Sequence, residues 1–204
     1  MRYESALQII GYLKRAYSAP VSILRIAQNI DLSYQPTHKH VRALAKQGAI
    51  ELAKQGREVL CRLKAGTAAH LWLSLLAVEE RVAPGGVPLG QTHALAALRD
   101  IVPDMPTEGL EALALQQTGD VARIVVLAES YARDGLRRRF AVRCESLGLN
   151  AEILVLSFAD LAQLLADPLE RERWVTQSTP VYGEQRFWEA VLPDNGVPPL
   201  EESL

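Results

Sequence analysis

No stretch of this chain approaches the roughly eighteen consecutive apolar residues that cross a bilayer. The N-terminus, MRYESALQII, lacks the long apolar core of a secretory signal. Neither a membrane-spanning nor an exported protein is expected. Cysteine is nearly absent: Cys61 and Cys144 lie far apart, without the spacing of a metal-binding or redox pair. They are expected to be buried free thiols in a reducing cytoplasm. Histidine at ligand spacing is also lacking. His38 and His40 are two residues apart on a helix, so their side chains diverge, and no cysteine or acid stands nearby at ligand spacing. His70 and His93 lie among apolar residues and are expected to be structural. No metal and no cofactor is expected.

What is present suits a globular protein. A hydrophobic content of 49% with 23% charged residues is that of an ordinary soluble domain, and 204 residues suffice for one large core or two small ones. The net charge of −2 conceals a division. Residues 1–66 hold 11 Lys+Arg against 4 Asp+Glu, whereas 67–204 hold 11 against 20. A basic first third on an acidic remainder predicts two domains with different partners, the first suited to a polyanion.

The basic third has a readable helical pattern. Ala6, Ile9, Ile10 and Leu13 share one face of a helix over residues 4–17, and Pro20 ends it. A short helix from Ser22 to Asn29 carries Ile23, Ile26 and Ala27, and Asp31-Leu32-Ser33 forms the turn after it. Ser33 is the expected N-cap of a third helix, Pro36 fits its first turn, and Gly48 stops it. Val41, Leu44 and Ala45 form its inward stripe. Next come Ala49 to Leu52, a turn at Lys54-Gln55-Gly56-Arg57, and Glu58 to Leu63, which read as a hairpin.

Two short helices around a tight turn are a helix-turn-helix, and a hairpin behind three helices makes it winged. The stretch LSYQPTHKHVRALAKQGAIELAKQGREVLCRL resembles winged-helix transcription regulators, across nearly all of residues 1–66. That resemblance implies a DNA contact surface formed by Ser33, Tyr34, Gln35, Thr37, His38, Lys39, Arg42 and Lys46, with Lys54 and Arg57 on the wing. In a major groove Gln35 suits adenine and Arg42 suits guanine, while Lys39 and Lys46 suit phosphates. The competing reading is a fold used for protein contacts with a merely solvated basic face.

An apolar helix follows over residues 68–82, with Leu71, Trp72, Leu75, Leu76 and Val78. Two roles stay open for it, pairing with a second copy to match a palindromic site or packing within its own chain. The segment 84–88 marks the clearest break, a helix is expected over 91–100, and Pro103 and Pro106 bound another break.

Beyond it the expected order is helix (108–118), strand (121–127), short helix (129–136), strand (137–145), strand (151–156), helix (158–166) and a closing segment to Trp188. Such alternation is a small α/β or α+β domain. VARIVVLAESYARDG is similar to the strand and loop of the small nucleotidyltransferases of the polymerase-beta superfamily, and AEILVLSFADLAQLLADP and Thr179 to Gly183 are similar to later parts of that domain. The family's loop reads Leu-Phe-Gly-Ser-Tyr-Ala-Arg-Gly, followed by a strand with an Asp-x-Asp metal pair. Here Glu129 stands where the loop glycine should be, so a side chain and a negative charge meet the phosphates. The window Phe140 to Glu145 contains no aspartate, and Glu152 would match the third carboxylate alone. Two scattered glutamates cannot build a two-metal site.

The resemblance therefore implies a non-enzymatic relic, with Glu129, Ser130, Arg133 and Glu152 as a vestigial nucleotide site. Arg133, Arg137, Arg138, Arg139 and Arg143 either hold an anion without metal or are simply solvated. The expected whole is an α+β protein. Residues 1–66 form a winged helix-turn-helix, 67–107 connecting helices and linker, 108–190 a small mixed-sheet nucleotidyltransferase-like domain, and 191–204 a flexible tail. Its expected function is sequence-specific binding of double-stranded DNA as a homodimeric transcription regulator, the acidic domain serving dimerisation, a ligand or a protein partner. An active nucleotidyltransferase and an antitoxin-like repressor are the alternatives.

Overall fold

The computed structural model describes residues 3–82, 94–98, 102, 107–118 and 121–194, with backbone alone at 117, 118 and 121. The expected break at 84–88, His93, and both ends of the helix expected over 91–100 lie outside these residues; 94–98 are helical. The chain is α+β and divides into two units, Met1–Leu76 with Leu192–Leu204, and Ala77–Val191. Among the described residues no helix is long and apolar enough to cross a membrane.

In the first unit, α1 (Tyr3–Arg15) turns Ala6, Ile9, Ile10 and Leu13 into the core. The two-residue strand β1 (Val21–Ser22) leads into α2 (Ile23–Asn29), whose first turn is capped by the Ser22 hydroxyl accepting from the Arg25 N–H at 3.4 Å. Asp31 reverses the chain at φ +52, a left-handed conformation that aspartate tolerates better than most residues. The third helix, α3 (Tyr34–Lys46), buries Thr37, Val41 and Leu44. Ser33 occupies its N-cap position, yet the hydroxyl makes no capping bond. Pro36 stands at the third helical position and has no N–H to donate, which removes one of the two partners such a cap uses. Gly48, at φ +83, ends the helix, and the Ala49 N–H returns to the Leu44 carbonyl at 3.0 Å.

Strands β2 (Ile50–Gln55) and β3 (Glu58–Leu63) pair antiparallel without a register break, from Ile50↔Leu63 to Gln55↔Glu58. Their turn is thus two residues, Gly56 and Arg57, tighter than the four-residue turn the sequence suggests. β1 joins the outer side of β3, giving the order β1-β3-β2. Helix α4 (Thr67–Val82) follows, and the division between the units falls within it. His70, 3% exposed, donates from Nε2 to the carbonyl of Leu192 at 2.8 Å, and Leu192, within the expected tail, is itself buried. Both cysteines are buried and free. Burial pushes the Cys61 thiol up to about 12, against an opposing pull from the Arg42 charge, so it remains protonated at neutral pH.

The second unit is a mixed four-stranded sheet covered by helices. Its elements are β4 (Leu110–Thr118), β5 (Val121–Ala128), α5 (Arg133–Ser146), β6 (Ala151–Leu156), α6 (Phe158–Leu164), α7 (Pro168–Gln177), β7 (Ser178–Tyr182) and α8 (Glu184–Val191). The strand order is β6-β5-β4-β7, with β5 and β6 parallel and both other pairs antiparallel.

Two expectations fail here, for different reasons. Residues 108–118 are not a helix: LEALALQQT is rich in helix formers, but it forms the inner strand β4, paired on both sides and buried from Ala112 to Gln116. Tertiary pairing overrides a weak local preference. Residues 129–136 and 137–145 are not a short helix and a strand. From Arg133 they are one helix, because Leu136, Phe140 and Cys144 recur every four residues and pack into the sheet core beside Ile124, Val126 and Val155. The apolar run that suggested a strand is the buried Phe140 followed by Ala141 and Val142, which are exposed on the other side of the helix.

β6 ends in a well-formed cap. The Ser157 hydroxyl accepts from the Asp160 N–H at 3.2 Å, and Asp160 Oδ2 accepts from the Ser157 N–H at 3.1 Å. The bond to its carboxylate from the Ser157 N–H, and then a second from the Ser157 hydroxyl at 2.8 Å, hold the Asp160 carboxyl below the usual carboxylate range, with a smaller pull from Arg133. A carboxyl depressed by folding stabilises above its unfolded pKa, and the contribution fades as pH falls through its lower folded pKa. Ser157→Ala should cost about 1 kcal/mol, as loss of an N-cap typically does. NMR titration should show Asp160 moving part of the way back up in that variant, because the backbone bond remains; an unmoved titration would show that the Ser157 hydroxyl does not contribute.

Candidate nucleic-acid interface

The exposed side of α3 is built by helical periodicity alone. Gln35, Lys39, Arg42 and Lys46 follow at intervals of four, three and four, and all four are exposed. At 100° per residue they fall opposite the buried Thr37, Val41 and Leu44. Tyr34, 47% exposed, and the half-buried His38 flank this stripe with ring centroids 5.9 Å apart. Ser33 is exposed just before the helix. Among the described residues Lys39, Arg42 and Lys46 form no ion pair, so their charges face solvent.

Thr37 does not belong to this surface. It is fully buried, and its hydroxyl donates to the Ser33 carbonyl at 3.0 Å. Grouping the whole first turn as groove-facing overlooked that position 37 lies in line with Val41 and Leu44. On the hairpin, Lys54 and Arg57 are exposed and likewise form no ion pair among the described residues. Arg62, five residues beyond Arg57 on β3, is instead bonded to Glu51 across β2 and β3 at 3.0 Å. Arg25 on α2 is a further exposed cation of this unit. The spacing of α2 marks only its apolar positions, Ile23, Ile26 and Ala27, and carries no signal for Arg25.

The expected nucleotide loop has a different geometry. Glu129, Ser130 and Tyr131 form an exposed turn between β5 and α5, closed by the Ala132 N–H donating to the Glu129 carbonyl at 2.9 Å. Partial loss of hydration, then the carboxylates of Glu129, Glu108 and Glu111, holds the Tyr131 phenol above its usual value. The surroundings of this turn are thus negative, unfavourable to phosphate. Arg133 is taken up by Asp160 at 2.8 Å.

Glu152 cannot join these groups. It pairs in register with Arg123 near the start of β5 and is bonded to it at 2.8 Å, whereas Glu129 follows the end of that strand. Six strand residues separate the two levels, about 20 Å at 3.3 Å per residue. The window 140–145 is helical, with Glu145 exposed near its end. Among the described residues no group of three or more His, Cys, Asp and Glu is placed to hold a metal ion. The four residues of the expected vestigial site are therefore not one site. No family model, curated protein or solved structure matches this chain.

Proposed function

We propose that this chain is a sequence-specific DNA-binding transcription regulator whose first unit acts as a winged helix-turn-helix. Helix α3 enters the major groove and the β2–β3 hairpin lies over the backbone. The observation that carries this reading is the stripe of Gln35, Lys39, Arg42 and Lys46, exposed opposite the core-facing side of α3. Three cations and an amide on one helical face combine phosphate positioning with two side chains suited to base edges. The regulator pairs as a homodimer; the exposed Leu71 and Leu75, one turn apart on α4, favour that state.

In this reading the second unit performs no nucleotidyl transfer. The separation of Glu152 from the 129–133 turn and the helical conformation of 140–145 support that assignment.

Footprinting on the DNA upstream of the chain's own gene, with affinity followed against salt, tests the proposal. Wild-type protein should protect a discrete site, and binding should weaken steeply as salt rises. Lys54→Ala should weaken binding equally on all sequences and lower the slope of log K against log salt by about 0.9, one phosphate contact. Absence of salt-dependent binding by the wild type would end the DNA-binding reading. Transfer of labelled nucleotide by the purified chain would overturn the non-enzymatic assignment.

A further inference from the structure

We infer that α5, in the second unit, carries a separate surface for the phosphate backbone of duplex DNA. The helix holds Arg133, Arg137, Arg138, Arg139 and Arg143 against Asp134 and Glu145. The rest of residues 77–191 holds six arginines against fifteen acidic groups. A strongly cationic helix thus stands in an otherwise anionic body, which concentrates the attraction for a polyanion on one face.

The partners of the unit's other arginines sharpen the contrast. Arg81, Arg123, Arg173 and Arg186 each lie beside a carboxylate, as does Arg133 at the first position of α5 itself. Arg137, Arg138 and Arg139 are exposed and form no ion pair among the described residues. Arg138 uses only Nε, donating to the Asp134 carbonyl of its own helix at 3.3 Å. Leu136, Phe140 and Cys144 face the sheet core, so Arg138 points directly away and Arg137 and Arg139 fan to either side.

The chemistry of this face selects among polyanions. A free nucleotide needs donors converging on one point within a concave site, whereas these guanidiniums diverge along a convex helix. Single-stranded nucleic acid is held by aromatic stacking platforms, yet the one aromatic residue of α5, Phe140, is fully buried. Diverging guanidiniums without stacking groups suit a duplex backbone, contacted without regard to sequence. This surface belongs to a different unit from α3, and its role does not depend on that of α3.

The test uses the full chain and a random-sequence duplex of about 60 base pairs, with affinity measured across a salt series. The variant R137Q/R138Q/R139Q keeps good helix formers and removes three charges; R137K/R138K/R139K keeps the charges. The glutamine variant should bind at least 10-fold more weakly at low salt, with the salt slope reduced by about 2–3. The lysine variant should stay near wild type, and both should keep the wild-type circular dichroism. Adding the glutamine changes to an Arg42→Ala chain should cause a further loss. If Arg42→Ala has no effect but the glutamine variant does, the role of α3 falls and that of α5 stands. Unchanged duplex binding by the folded glutamine variant overturns the α5 surface. Loss of RNA binding alone, with duplex binding intact, overturns it in favour of RNA.

Discussion

Gly183→Ala is expected to cost the second unit about 3–4 kcal/mol, the largest effect of any single-methyl change proposed for this chain. Gly183 joins β7 to α8 at φ +60, where a residue with a Cβ is disfavoured by about 1–2 kcal/mol. A Cβ at this position would also overlap the carbonyl oxygen of Glu111 and press on Ala112, at 3.1 Å from its Cα. Both belong to β4, the inner strand, where the β4–β7 register shifts between Leu113 and Ala114. Ala112 is paired to Leu127 of β5, and the next residue, Leu113, to Tyr182 of β7, so this backbone cannot move aside without straining those pairs, and overpacking adds about 1–3 kcal/mol more. Gly148→Ala isolates the conformational part. Gly148 is also left-handed, at φ +63, but a Cβ there meets nothing within 4 Å. It should cost only about 1 kcal/mol. Denaturant unfolding of the two variants beside wild type decides the matter: equal losses would mean that β4 yields and that the close approach stores no strain.

Arg42→Ala is expected to weaken operator binding by about 1–3 kcal/mol, roughly 10- to 150-fold, and to do so unevenly across sequences. Arg42 lies in mid-helix on the exposed stripe, without an ion-pair partner among the described residues. A guanidinium there is able to pair with both acceptors of a guanine edge, and its removal should relax preference at one base position. Lys39→Ala, three residues earlier on the same face, should instead weaken all sequences alike and reduce the salt slope by about one contact. The pair thus separates base reading from backbone attraction on one helix. Circular dichroism should be unchanged, since both side chains are exposed and α3 is held by Val41 and Leu44. Selectivity measured on a panel of single-base operator variants is the deciding quantity. An Arg42→Ala protein with wild-type selectivity would remove Arg42 from base reading.

The first unit was largely legible because its signals are local. Apolar spacing at three and four, a glycine at the end of α3 and a two-strand hairpin each depend on residues close in sequence. The same periodicity placed Gln35, Lys39, Arg42 and Lys46 together before any fold was known. It also contained the information that removes Thr37, four residues before Val41 and seven before Leu44. The strands β5 and β6 were readable from the runs IVVLA and EILVL.

Sequence alone therefore determined the helices and hairpin of residues 3–63 and the basic stripe on α3. Only tertiary structure decided that LEALALQQT is a strand, because its burial depends on β5 and β7 supplying ladders on both sides. Only tertiary structure separated Glu152 from the 129–133 turn, since parallel pairing with β5 sets it at the far end of the sheet. Contacts between residues close in the chain are written in spacing. Contacts between distant segments depend on which strand pairs with which and in what register, and spacing does not carry that information.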